Sequence, residues 1–357
     1  MAKSPQNLLI TDKSNVAYLS NFTGSNGFML LTKTKKYLFT DFRYLERAKN
    51  TIKKGIILID NTRMWRNPKI LAQNWQQILK KHKIKSLGIE ESDLTISRFK
   101  KFQKISKIKG QKITYKDISG HIEELREIKS KLEIELITKS QRINEKIFLA
   151  IKKIIQTSAG KKAKVTESDI NWKIKELAFN FGAEDISFEP IVAFGKHSSM
   201  PHHLSDNTVL KKGDLVLIDM GVKYKGYCSD MTRMIFTATP TPEQKMIYNL
   251  VLQAQINGIN KIKAGITGKQ ADDLSRNIIK KAGFGDFYGH SGGHGIGLDI
   301  HESPSLAETY KNRLKTNSII TVEPGIYLEG KFGIRIEDMV LVTKTGTKNL
   351  TKIKKTL

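Results

Sequence analysis

A single cysteine, Cys228, excludes any disulfide within the chain and makes a reducing, cytoplasmic setting the expectation. No apolar run approaches the eighteen residues of a membrane-crossing helix, so a membrane partner is not expected. The start, "MAKSPQNLLITDKSN", lacks the apolar core and small-residue cleavage site of a secretory leader. Acidic residues are scarce, 35 against 61 Lys and Arg, which gives a formal net charge of +26. That excess attracts polyanions. The lysines are scattered along the whole chain rather than gathered on one stripe, so a nucleic-acid partner is not the expectation.

With 357 residues the chain is long enough for two domains. Over the first part, strand signals ("GFMLLT", "KKYLFT", "GIILID", "SLGIE", "QKITYK") alternate with helical spacing. The helical stretches include "DFRYLERAKNTIKK", begun by Asp41, and "PKILAQNWQQILKKHK". This alternation predicts an α/β domain with a partly parallel sheet, and "GIILID" reads as a buried strand. From about Ile122 the pattern changes to long helical runs, with a break expected near Lys129–Ser130, followed by grouped strands. The fold class is therefore α+β in two domains, residues 1–122 and 123–357.

Two stretches of the second domain pose one physical puzzle. In "LIDMGVKYKGYCSDMTR", a turn centred on Tyr224 and Lys225 sets Asp219 directly opposite Asp230. In "ITVEPGIYLEGKFGIRIEDMVLV", a three-residue loop over Glu329–Lys331 sets Glu323 opposite Glu337. Facing carboxylates repel. Both pairs follow strongly apolar strands, so they are expected to point inward, where unpaired ionised carboxylates are prohibitive. Divalent cations between them solve the problem.

Between the hairpins, "GHSGGHGIGLDIHE" supplies His290, His294 and His301 among glycines. It lacks the Lys-Ser/Thr of a phosphate-binding P-loop. Imidazole added to carboxylates favours manganese, cobalt, iron or zinc over magnesium alone. Cys228 reads as buried and inert.

These motifs resemble the metal-site motifs of the pita-bread metallopeptidases, the family of methionine aminopeptidase, aminopeptidase P and prolidase. "LIDMG", "CSDMTR", "GGHGIGLDIHE", "TVEPGIY" and "RIEDMV" match in order. The resemblance implies Asp219, Asp230, His294, Glu323 and Glu337 as ligands of two divalent ions, with Asp230 and Glu337 bridging both. The ions expected are Mn2+, with Co2+ or Zn2+ as substitutes. "TDKSNVAYLSNFTGSNGFMLLT" and "TDFRYLE" resemble the front domain of aminopeptidase P, prolidase and creatinase, which methionine aminopeptidases generally lack.

By the same resemblance, Glu323 is the general base and acid. His202 and His301 hold the substrate carbonyl or its oxyanion, and His290 and Arg335 line the substrate site. Asp41 and Arg43 become candidates to reach the substrate's amino end. His203 has no counterpart. The implied reaction is hydrolysis of the bond between an amino-terminal residue and proline by a hydroxide shared between the metals, in a homodimer. Xaa-Pro dipeptidase (prolidase) activity is the alternative. A non-catalytic RNA- or ribosome-binding member of the fold is the competing class, against which the intact ligand set speaks.

Overall fold

The computed structural model describes residues 5–62, 68–161 and 164–357. It divides into two compact units, one up to Leu125 and one from Arg126.

The first unit runs β1 (Leu8–Ile10), α1 (Lys13–Ser20), β2 (Gly27–Leu31), β3 (Lys36–Thr40), α2 (Phe42–Thr51), β4 (Ile56–Asp60), α3 (Pro68–Lys81), β5 (Ser86–Ile89), α4 (Ile96–Ile105) and β6 (Thr114–Asp117). Helix α5 (His121–Glu127) ends just beyond the division. The sheet order is β4-β3-β2-β1-β5-β6. Its flanks pair parallel and its centre, β1-β2-β3, antiparallel, as the alternating pattern predicts. Trp75 is fully buried against Phe28, Phe39 and Phe102, and its indole N–H donates to Ser106 Oγ at 2.8 Å. One expectation needs correcting. "GIILID" forms the edge strand β4, mostly half-buried, because among the described residues it pairs only with β3 and no strand covers its outer side. Asp41 is buried and caps α2, its carboxylate bonded to Arg43 and Asn26.

In the second unit the elements are α6 (Lys131–Ser158), α7 (Glu167–Asn180), β7 (Asp185–Ile186), β8 (Ile191–Phe194), β9 (Leu215–Met220), β10 (Val222–Tyr224), β11 (Tyr227–Cys228), β12 (Met231–Phe236), α8 (Pro242–Lys261) and α9 (Gly268–Lys281). Then follow β13 (Gly293–Gly295), β14 (Glu302–Leu306), β15 (Ile319–Val322), β16 (Gly325–Leu328), β17 (Phe332–Arg335), β18 (Asp338–Val342) and β19 (Thr347–Asn349). The helices start where side chains satisfy their free N–H groups: Ser130 with Glu133, Thr166 with Asp169, Thr241 with Gln244 and Thr267 with Gln270 form reciprocal caps. Ser130 thus explains the expected break before α6.

The sheet β12-β9-β8 lies between two apolar layers. Ile143, Ile147, Ile151 and Ile155, one per turn of α6, pack on Val216, Ile218 and Met220. Ile247, Val251 and Ala254 of α8 belong to the other layer, with Leu215, Leu217 and Met234. Because side chains alternate along a strand, Asp219 continues the row of Leu215 and Leu217.

The first hairpin departs from the expected register. Its loop is Lys225–Gly226, with Tyr224 paired to Tyr227, so Asp219 faces Thr232 rather than Asp230. Lys225 and Gly226 both have positive φ, 48° and 80°. This is the two-residue geometry whose twist matches a hairpin, and glycine takes its second position without penalty. Moving the turn by one residue moves every partner by two, so Asp230 stays on Asp219's face as a diagonal neighbour. The second hairpin keeps the expected register. Gly325 pairs with Arg335 and Leu328 with Phe332 around Glu329–Lys331, and Val322 pairs with Asp338. Glu323 and Glu337 fall opposite each other in the gap between these two ladders.

Candidate metal centre

The second unit encloses a cavity of about 750 Å³ lined by Asp219, Asp230, His202, His290, His294, His301, Glu323, Arg335 and Glu337. All nine residues singled out in the sequence of this unit therefore meet at one place. Asp230, His294 and Glu337 offer donor atoms that all lie within 4.8 Å of one another. His294 Nε2 is 3.6 Å from Asp230 Oδ2 and 3.4 Å from Glu323 Oε1. On the far side of its ring, Nδ1 lies 3.0 Å from the Gly295 carbonyl. That acceptor fixes the proton on Nδ1 and leaves the Nε2 lone pair facing the carboxylates.

Asp219 and Glu337 each have one oxygen served by the protein and one open. Asp219 Oδ2 accepts from Arg335 Nη2 at 2.5 Å, and Glu337 Oε2 accepts from Thr232 Oγ1 at 2.8 Å. Asp219 Oδ1, Asp230 Oδ1 and Glu337 Oε1 are buried with no hydrogen-bond partner. Burial, reinforced by repulsion from the neighbouring carboxylates, pushes Asp230 and Glu337 well above the usual carboxylate range. Burial likewise raises Glu323 to about 7. Three unpartnered carboxylate oxygens around an imidazole lone pair are what a divalent cation satisfies, so the residues present fit the metal.

The protein also holds the surroundings in place. Arg335 donates through Nε to Thr232 Oγ1 at 3.0 Å and through Nη1 to the Tyr327 hydroxyl at 2.7 Å. Tyr327 in turn stands 3.0 Å from His290 Nε2, whose Nδ1 faces the Ser291 carbonyl at 2.8 Å. With its oxygen receiving from Arg335, the Tyr327 hydroxyl donates its hydrogen bond to His290 Nε2. Burial, then the charge of Arg335, lowers His290 to about 4 and keeps it neutral. His301 packs edge-on against His294 with ring centres 4.3 Å apart, and burial lowers its pKa too. At the start of the second unit, Arg126 bonds Asp299 (2.5 Å) and Glu302 (2.6 Å), and Lys129 bonds Glu302 (2.5 Å).

Thr232, Thr321 and Tyr327 escaped the sequence reading. Thr232 and Tyr327 lie two and four residues from acids that were read, but nothing in that spacing says which hydroxyl meets which partner. Arg233 was missed as well. It is buried beneath the site, where it bonds Asp338 at 2.6 Å and the Glu337 and Ile353 carbonyls at 2.5 and 2.8 Å. Lys355 completes that pair on Asp338 at 2.6 Å. Tyr327→Phe is expected to leave the Arg335 Nη1 and His290 Nε2 groups short of a buried partner and to cost about 1–3 kcal/mol in a urea titration.

A pocket of inward carboxylates and imidazoles, carried on paired hairpins and backed by helices, defines a hydrolase of the divalent-metal type. The profile of metallopeptidase family M24 matches residues 135–344, and that of the creatinase/prolidase N-terminal domain matches residues 2–128. The chain belongs to metallopeptidase family M24, and its architecture is a creatinase-type front domain followed by the pita-bread domain. An Xaa-Pro dipeptidase of Pyrococcus horikoshii is 35% identical over 355 residues, covering 98% of this chain and 93% of its own. Among solved structures, an Xaa-Pro dipeptidase from Bacillus anthracis is 36% identical, with a TM-score of 0.90 over 99% of this chain and 94% of that one. An X-Pro aminopeptidase from Thermotoga maritima is 32% identical, with a TM-score of 0.87 over 99% of this chain and 97% of that one. Among the described residues no helix is long and apolar enough to cross a membrane.

Proposed function

We propose that the protein is an Xaa-Pro aminopeptidase that holds two divalent ions, manganese by preference, on Asp219, Asp230, His294, Glu323 and Glu337. The three unpartnered carboxylate oxygens around His294 carry this reading. When bound, the ions supply Lewis acidity, polarising the scissile carbonyl and making water acidic enough to attack at neutral pH.

The side chains do the rest. Glu323 receives at its carboxylate the proton removed from the attacking water, with Oε1 steadied by Thr321 Oγ1 at 3.2 Å. It hands that proton to the proline nitrogen, which is a poor leaving group until protonated. His202 and His301, on the cavity wall, donate to the oxygen of the scissile carbonyl as negative charge gathers there. Arg335 holds Asp219 in orientation and, through Tyr327, keeps His290 neutral against the substrate.

Two features favour peptides longer than a dipeptide. The cavity's 750 Å³ suits a drug-sized ligand. Arg335, the one arginine or lysine among its described lining residues, is committed to Asp219, Thr232 and Tyr327, so a carboxylate directly after proline finds no uncommitted cation there. The test compares an Xaa-Pro-Yaa tripeptide with an Xaa-Pro dipeptide on manganese-loaded protein. Faster cleavage of the tripeptide is expected. Cleavage of the dipeptide alone makes the enzyme a prolidase, and cleavage of neither removes the proposal. His301→Ala should retain its metal by elemental analysis and lose about 10²–10³ in turnover, the usual cost of one donor to a developing oxyanion.

A further inference from the structure

Glu167, the first residue of α7, is wholly buried and forms a second cluster of acids and imidazoles with His197, His203 and Asp206. Their donor atoms lie within 4.8 Å of one another, as at the metal centre. The physical situation is the reverse. Glu167 Oε1 accepts from the Phe194 N–H at 2.7 Å and bonds His197 Nδ1 at 3.0 Å. Oε2 bonds His203 Nε2 at 2.7 Å and accepts from the Asp206 N–H at 3.2 Å. No buried side-chain oxygen or nitrogen of Glu167, His197 or His203 is left without a partner, whereas three carboxylate oxygens at the metal centre are. Four donors and the positive end of a helix already neutralise this carboxylate.

The segment that these bonds immobilise runs from Gly195 to Asp206, and His202 lies within it. On one side of His202, the Pro201 carbonyl is 3.4 Å from Arg335 Nη1, and Ser198 Oγ accepts from the Gly333 N–H at 2.9 Å. On the other side, His203 is anchored to Glu167 while its ring packs, tilted by 38°, against His197 with ring centres 4.4 Å apart. His202 is itself exposed within the cavity, so its place is set by its two neighbours. We infer that Glu167, acting through His203 and His197, is a positioning residue that holds His202 where it meets the substrate carbonyl. The inference rests on the proposed role of His202 in peptide cleavage.

The test uses the full-length, manganese-loaded protein and the tripeptide substrate. Glu167→Gln and His203→Ala should each lower kcat about tenfold or more, since a misplacement near 1 Å is costly in a preorganised site. KM should change far less, and His203→Gln, which can still donate to Glu167, should recover much of the loss. In a His202→Ala background the same substitutions should add nothing further, because a group acting through His202 cannot act once it is gone. Additive losses, or wild-type kcat in Glu167→Gln, overturn the inference. A metal equivalent present in the wild type and missing from His203→Ala would also overturn it, since the cluster would then be a cation site. Amide exchange gives an arm independent of activity: Glu167→Gln should speed exchange across residues 194–206. If the wild type cleaves no Xaa-Pro peptide, the proposed function fails by itself, and unchanged exchange in Glu167→Gln would refute the positioning role separately.

Discussion

Asp230→Asn is expected to lower turnover by more than about 10³-fold while raising the stability of the metal-free protein. Removing a single oxyanion donor costs about 10²–10³, and a lost ion withdraws both the polarising charge and the activated water. The amide keeps the size of the carboxylate but not its charge, so metal content should fall in elemental analysis. Without metal the same change helps the fold. Asp230 is buried, repelled by Glu337, Asp219 and Glu323, and has one oxygen without a partner. A neutral group there removes part of the penalty for an unpaired buried charge. Calorimetry of the stripped variant should show a melting temperature above that of the stripped wild type. A lower one would mean that Asp230 has a partner other than metal.

Stripping the ions with a chelator should lower the melting temperature by about 10 °C. A ligand at about a thousand times its dissociation constant adds about 4 kcal/mol, and 1 kcal/mol moves the midpoint of a domain of this size by about 2–4 °C. The stripped protein should also lose stability as the pH rises from 6.5 to 8. Glu323 is raised to about 7, and Asp230 and Glu337 lie well above their usual range, so the fold retains protons that the unfolded chain has already released. Stability contributed by a raised carboxylate is complete below its unfolded pKa and disappears as pH passes through the folded value. Below 6.5, His290, His294 and His301 oppose the trend, because burial keeps them neutral where the unfolded chain takes up protons. Glu323→Gln should flatten the slope above 6.5. A stripped protein that gains stability over that interval would contradict the assignment of these carboxylates to a cation.

The two hairpins show how far the sequence could be read. The second was legible because Gly330 marks the centre of its loop and the apolar strands on either side are symmetric about it. The first was misjudged by one turn position. The informative signal was the Lys225–Gly226 step, since only the second of two positive-φ positions needs glycine there. The error left the site readable because a two-residue slip preserves the face on which Asp219 and Asp230 lie. Strand alternation located the carboxylates, but the groups that orient them come from distant segments. Arg335 reaches Tyr327 across its own hairpin, Thr232 meets Glu337 between strands, and Glu167 grips a loop some thirty residues on. Such pairings depend on three-dimensional packing, to which no local period corresponds. The edge position of β4 was hidden for the same reason, since an apolar run does not reveal how many neighbours its strand will have.

Arg233, Asp338 and Lys355 lock the underside of the site, and Ile353 lends its carbonyl to the same knot. During synthesis, Asp219 and Asp230 emerge from the ribosome long before Glu337 and longer still before Lys355. With the proposed ligand set, a growing chain cannot gather all the acids of the cavity before Glu337 has emerged, and the pairing of Asp338 with Lys355 beneath them closes later still.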